Sequence, residues 1–126
     1  MKTLAALVFL TGCAMADART DRTVEKLSAR LHYDTQATAK LREVLREFAP
    51  RLEPLRADAH VLAQQIRALL ARGDASPSVL KRMTDKLAND RSQIRALSEQ
   101  RMAELKARLS PEQYAELVVY RRGRRR

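Results

Sequence analysis

Leu109-Ser110-Pro111-Glu112-Gln113 is where a long amphipathic pattern stops and a short, arginine-rich one begins. Its chemistry is that of a helix start. Ser110 can accept a hydrogen bond from a free backbone N–H, Pro111 needs no partner for a missing N–H at the first helical position, and Gln113 can reach back to close a capping box. Leu109, just outside, can pack against Ala115 or Leu117 and set the angle at which the chain enters the new helix.

Upstream of this start the pattern is helical for most of the chain. From Asp34, apolar residues recur at Ala37, Leu41, Val44, Leu45, Phe48, Leu52, Leu55, Ala59, Leu62, Ile66, Leu69 and Leu70, one stripe at about 100° per residue. Pro50 and Pro54 fall roughly opposite that stripe without shifting its phase. A bent helix, concave on its apolar side, is expected there, the alternative being a break into two straight helices. Arg72-Gly73-Asp74-Ala75-Ser76-Pro77 ends this element, with Gly73 fit for a left-handed residue and Ser76-Pro77 repeating the grammar of Ser110-Pro111. The return helix, about 77 to 108, carries Leu80, Met83, Leu87, Ile94, Leu97, Met102, Leu105 and Leu109. Arg91, Ser98 and Arg101 interrupt it.

The expected fold is therefore all-α: a long bent αα-hairpin with short flanking helices, Val24, Leu27 and Leu31 marking the leading one and Tyr114, Leu117, Val118 and Tyr120 the last. Two Phe, three Tyr and no Trp leave a thin aliphatic core. Two stacked helices of this kind are marginal alone, so a homodimer is expected.

Residues 1–16 read as an export signal: Lys2, an apolar run from Leu4 to Leu10, then small residues. The run is too short to span a bilayer. Leu10-Thr11-Gly12-Cys13 fits a lipobox that would lipidate Cys13, and Ala14-Met15-Ala16 fits ordinary cleavage after residue 16. Both readings place the helical domain, 17–120, outside the cytoplasm, in the first case anchored to a membrane by lipid. The single cysteine leaves no internal disulfide. A formal charge of +10 favours acidic clients or anionic surfaces, and export argues against nucleic acid. The tail, 121–126, holds five arginines in six residues and is expected to be disordered.

No nucleophile, base or cofactor-binding constellation is present, so no enzyme and no cofactor are expected. Glu43, Glu47, Asp85, Asp90, Glu99 and Glu104 lie beside basic residues at helical spacing and read as solvated ion pairs. No two histidines stand one helical turn apart. His32 and His60, with Met83 and Met102, are weak metal candidates only.

The motif at 109–113 resembles the Leu-Thr-x-x-Gln signature of the Spy/CpxP-like periplasmic proteins. Leu31-His32-Tyr33-Asp34-Thr35-Gln36-Ala37 stands where that family carries a second copy, with Asp34 able to cap and Ala37 in the glutamine position. The likeness covers roughly 24 to 120. It implies an ATP-independent periplasmic chaperone or envelope-stress accessory protein, homodimeric, holding unfolded or partly folded clients on a concave apolar and basic surface. Phe48, Leu52, Leu55 and Met83 are the candidate apolar contacts, and Arg46, Arg51, Arg56, Arg82 and Arg91 the candidate rim. The alternative, from related periplasmic sensors, is a metal- or stress-responsive regulator that binds a signalling protein.

Overall fold

A stripe of leucines needs a second stripe to cover it, and the chain supplies one by turning back at Gly73. A computed structural model of the chain describes the backbone of residues 2–124 and the side chains of 17–124. The side chains of the export segment, Cys13 included, and the last two arginines lie outside the described residues. Four helices follow in order: α1 (Lys2–Leu31), α2 (Thr35–Arg72), α3 (Pro77–Arg108) and α4 (Pro111–Arg124). No strand occurs among the described residues, so the all-α reading and the helical hairpin hold.

Each junction follows from local chemistry. At the end of α1, His32 takes φ 54° and the Tyr33 N–H bonds the Ser28 carbonyl at 3.0 Å, the six-to-one closure of a Schellman turn with histidine where glycine is usual. Asp34 then caps α2, its Oδ1 accepting from the Ala37 N–H at 2.7 Å. At the end of α2, Gly73 adopts φ 76° and its N–H reaches the Leu70 carbonyl at 3.2 Å. Ser76-Pro77 opens α3, and the Leu80 N–H bonds the Ser76 carbonyl at 3.0 Å. α2 runs unbroken through Pro50 and Pro54, both exposed, so the break into two helices does not occur. Because the apolar stripe keeps its phase, burial on the far side holds the helix together despite the lost backbone bonds.

α4 continues to Arg124, which corrects the placement of the tail at 121. Arginine is a good helix former, and positive side chains in a last turn complement the negative end of the helix dipole.

The chain divides into two compact units. One, here the capped unit, comprises Met1–Pro50 and Gln100–Arg126; the other, the hairpin unit, is Arg51–Glu99. In the capped unit α1 touches α4, and Val24, Leu41, Val44, Leu105 and Leu117 are at most 2% exposed. Ion pairs lace its surface. Asp21 of α1 receives both Arg46, at 2.8 Å, and Arg42, at 3.5 Å. Arg108 of α3 gathers Glu43, Glu47 and Glu104 at 3.2, 3.9 and 3.5 Å. In the hairpin unit the core is Leu52, Leu62, Leu87 and Leu97, and Lys86 of α3 stands 3.9 Å from Asp58 of α2.

Candidate functional site

Two places in the chain have the composition of a site: the junction of the two cap motifs in the capped unit, and the leucine stripe of the hairpin unit.

At 110–113 the capping box is complete. The Gln113 N–H donates to Ser110 Oγ at 3.2 Å, and the Ser110 N–H donates to Gln113 Oε1 at 3.1 Å. The copy at 34–37 is one-sided: Asp34 caps, and the methyl group of Ala37 has no acceptor to return the bond. Ala37 is 2% exposed, so a glutamine there would have to enter the core. The two copies lie together, since Tyr33 Oη donates to the Gln113 carbonyl at 2.5 Å. Burial and the nearby Glu116 carboxylate push the Tyr33 hydroxyl up to about 12, which keeps it a neutral donor. The turn at Arg30–Asp34 and the outer side of α4 face one another across an open groove of about 860 Å³. Val119 and Tyr120 supply its apolar surface, and Glu112, Glu116 and Asp34 its acidic surface. Arg30 and His32 line it as well, so its carboxylates stand beside a basic side chain.

The hairpin unit shows a stripe only half covered. Leu55, Ile66 and Leu69 of α2 and Leu80, Met83 and Ile94 of α3 all remain partly exposed. Val61 and Leu70 are 48% and 60% exposed. Arg56, Arg82 and Arg91 stand exposed on the same unit.

The residues expected to meet clients thus divide. Leu55 and Met83 are accessible in part, and Arg56, Arg82, Arg91 and Arg51 have exposed side chains. Phe48 and Leu52 do not match that expectation: at 3% and 1% exposed they are core residues. Arg46, expected at the rim, spends its guanidinium on both oxygens of Asp21, at 2.9 and 2.8 Å.

Asp90 also departs from its expected place among solvated ion pairs. It is 6% exposed and its Oδ2 has no hydrogen-bond partner among the described residues. A hydrogen bond shared with the Asp58 carboxyl, then burial and the charge of Asp58, raise its pKa, and Lys86 opposes the shift. The signal was present in the spacing: Asp90 follows Leu87 by three residues and precedes Ile94 by four, an inward position.

His32 and His60 are both exposed. Among the described residues no group of three or more His, Cys, Asp or Glu is placed to hold a metal ion, and no helix is long and apolar enough to cross a membrane. Compared with known proteins, the chain matches no family model, no curated relative and no solved structure.

Proposed function

We propose that the processed chain is a periplasmic, ATP-independent chaperone or envelope-stress accessory protein of the Spy/CpxP kind, which holds unfolded or partly folded clients on an apolar surface edged by arginines. The observation that carries this reading is the half-open stripe of the hairpin unit. Leu55, Ile66, Leu69, Leu80, Met83 and Ile94 are partly exposed, and Val61 and Leu70 are more exposed still. Apolar side chains left partly in water and edged by polar residues are the material of a binding face. The exposed Arg56, Arg82 and Arg91 would draw acidic segments toward it and speed encounter. Binding by a partly open leucine surface needs neither nucleotide nor metal. The paired caps at 34–37 and 110–113, joined through Tyr33, add support, since the motif at 109–113 resembles the Spy/CpxP signature. Export through residues 1–16 puts the protein in the periplasm, released after residue 16 or held by lipid on Cys13.

The test is suppression of aggregation of a reduced or denatured client by the purified protein at equimolar ratio without nucleotide. Val61→Ser with Leu70→Ser, both on exposed side chains, should weaken the suppression while leaving the fold intact. Arg56→Glu with Arg82→Glu should slow capture of acidic clients and remove its salt sensitivity. No suppression by the unaltered protein at either low or moderate salt would overturn the reading.

A further inference from the structure

α2 carries one arrangement of residues twice. Leu41-Arg42, Leu45 and Phe48-Ala49 are followed, fourteen residues on, by Leu55-Arg56, Ala59 and Leu62-Ala63. Fourteen residues bring an α-helix back to within about 40° of its starting direction, so the two tracts occupy one side of α2. The first tract is covered. Asp21 of α1 accepts from Arg46 at 2.9 and 2.8 Å and stands 3.5 Å from Arg42, while Leu41, Phe48 and Ala49 are 0%, 3% and 8% exposed. The second tract is open. Leu62 is buried, but Leu55, Ala59 and Ala63 remain partly exposed and Arg56 is exposed. The helix that covers the first tract shows what the second has room for. Thr20, Val24 and Ser28, every fourth residue of α1, form its buried side, with the Asp21 carboxylate beside them.

We propose that the second tract docks an amphipathic helix of the client, with short side chains against Ala59 and Ala63 and a carboxylate on Arg56, in the way that α1 covers the first tract. The proposal rests on the client-holding reading and names the class of segment held. Two alanines one turn apart let a helix axis approach closely, since the distance between packed helices is set by the side chains at the contact. A docked helix also satisfies its own backbone N–H and C=O groups, whereas an extended segment laid on the side of a helix would leave them unpaired against apolar surface. His60 stands where the first tract has Arg46. A docked helix is therefore held by one guanidinium where α1 is held by two, which suits reversible capture.

The probe is a dye-labelled peptide of about fifteen residues, roughly four helical turns, with alanine or valine at every fourth position and one aspartate beside the first of them. Its fluorescence anisotropy is titrated with the processed chain. The unaltered protein should bind it, and a version with proline at its centre, which cannot complete the helix, should bind at least about tenfold more weakly. Arg56→Glu should raise the dissociation constant by about tenfold, and a peptide with lysine in place of the aspartate should return it to within about threefold of the original. Ala63→Gln, whose longer side chain holds a docked helix away, should weaken binding about tenfold as well. Circular dichroism of both variants should match the original, which separates lost binding from lost folding. Equal affinity for the proline peptide overturns the proposal, as does indifference to both substitutions. Suppression of client aggregation measured beside the titration keeps the two claims apart: suppression without peptide binding removes the docked helix and leaves client holding, and peptide binding without suppression does the reverse.

Discussion

Leu41 and Leu55 lie in the same stripe of the same helix, and only Leu41 is sealed. Leu41, Val44 and Phe48 in the capped unit are at most 3% exposed; Leu55, Ile66 and Leu69 in the hairpin unit stay partly open. The stripe does not change in character between them. The number of neighbouring helices does. In the capped unit α1 and α4 join α2 and α3, so an apolar side chain is covered from several directions, whereas in the hairpin unit only α2 and α3 face each other. Two helices bury a narrow seam and leave the flanks of a wide stripe wet. One region therefore seals its apolar side chains, and the other leaves part of its stripe in contact with water.

The sharpest way to break this comparison is truncation. Leu41→Ala or Leu117→Ala should cost about 2 to 5 kcal/mol in urea unfolding, as transfer and cavity terms add in a closed core. Leu55→Ala or Met83→Ala should cost about 1 kcal/mol, because much of each side chain is already in water. Equal costs would mean that the hairpin unit is as closed as the other.

The two cap motifs invite the next test. Ala37→Gln would complete the one-sided box on paper, but it enters a closed position and should destabilise by about 1 to 3 kcal/mol through overpacking. Ser110→Ala, which removes one half of the complete box, should cost about 1 kcal/mol, read as a lower melting temperature. A stabilising Ala37→Gln would show that the 34–37 copy has room the packing denies it.

Among the described residues, two are left-handed, one in each unit, and they make a matched pair with opposite signs. His32→Gly relieves a side chain held at φ 54° and should stabilise by about 1 kcal/mol, whereas Gly73→Ala at φ 76° should destabilise by about the same amount. Thermal melts of the two variants check both.

The smallest effect concerns Asp90, whose partner Asp58 keeps access to water. Its folded pKa is raised by the shared hydrogen bond with Asp58 and by burial, against the pull of Lys86. The native state therefore binds this proton more readily than the unfolded chain. That contribution is fully present below the ordinary aspartate value and lost as pH rises through the raised one. Asp90→Asn should flatten this part of the stability profile and raise the melting temperature near neutral pH. Melting followed from about pH 4 to 7 reads it.

The cap motifs were legible because their bonds close within three or four residues: Ser110 with Gln113, Asp34 with Ala37, Gly73 with Leu70. The outward positions of Pro50 and Pro54 could be read from the helical wheel. Less of the candidate site could. Phe48 and Leu52 share the stripe with Leu55, and a wheel ranks all three alike, since it says which side is apolar and not what covers it. Asp90 was assigned by its charged neighbours along the chain, although its spacing from Leu87 and Ile94 marked it as inward. Tyr33 carried no local signal at all, for its partner Gln113 is distant in sequence.

The amino-acid order alone determined that this chain forms helices, where α2 and α3 begin and end, and which side of each is apolar, because those properties rest on dihedral preference, capping and periodicity within a turn or two. The tertiary structure decided that the stripe is shut around Leu41 and open around Leu55, that Asp90 lies against Asp58, and that the two cap motifs meet through Tyr33. Those outcomes depend on how many elements surround a residue, and burial of that kind is set only when segments distant in sequence are brought together.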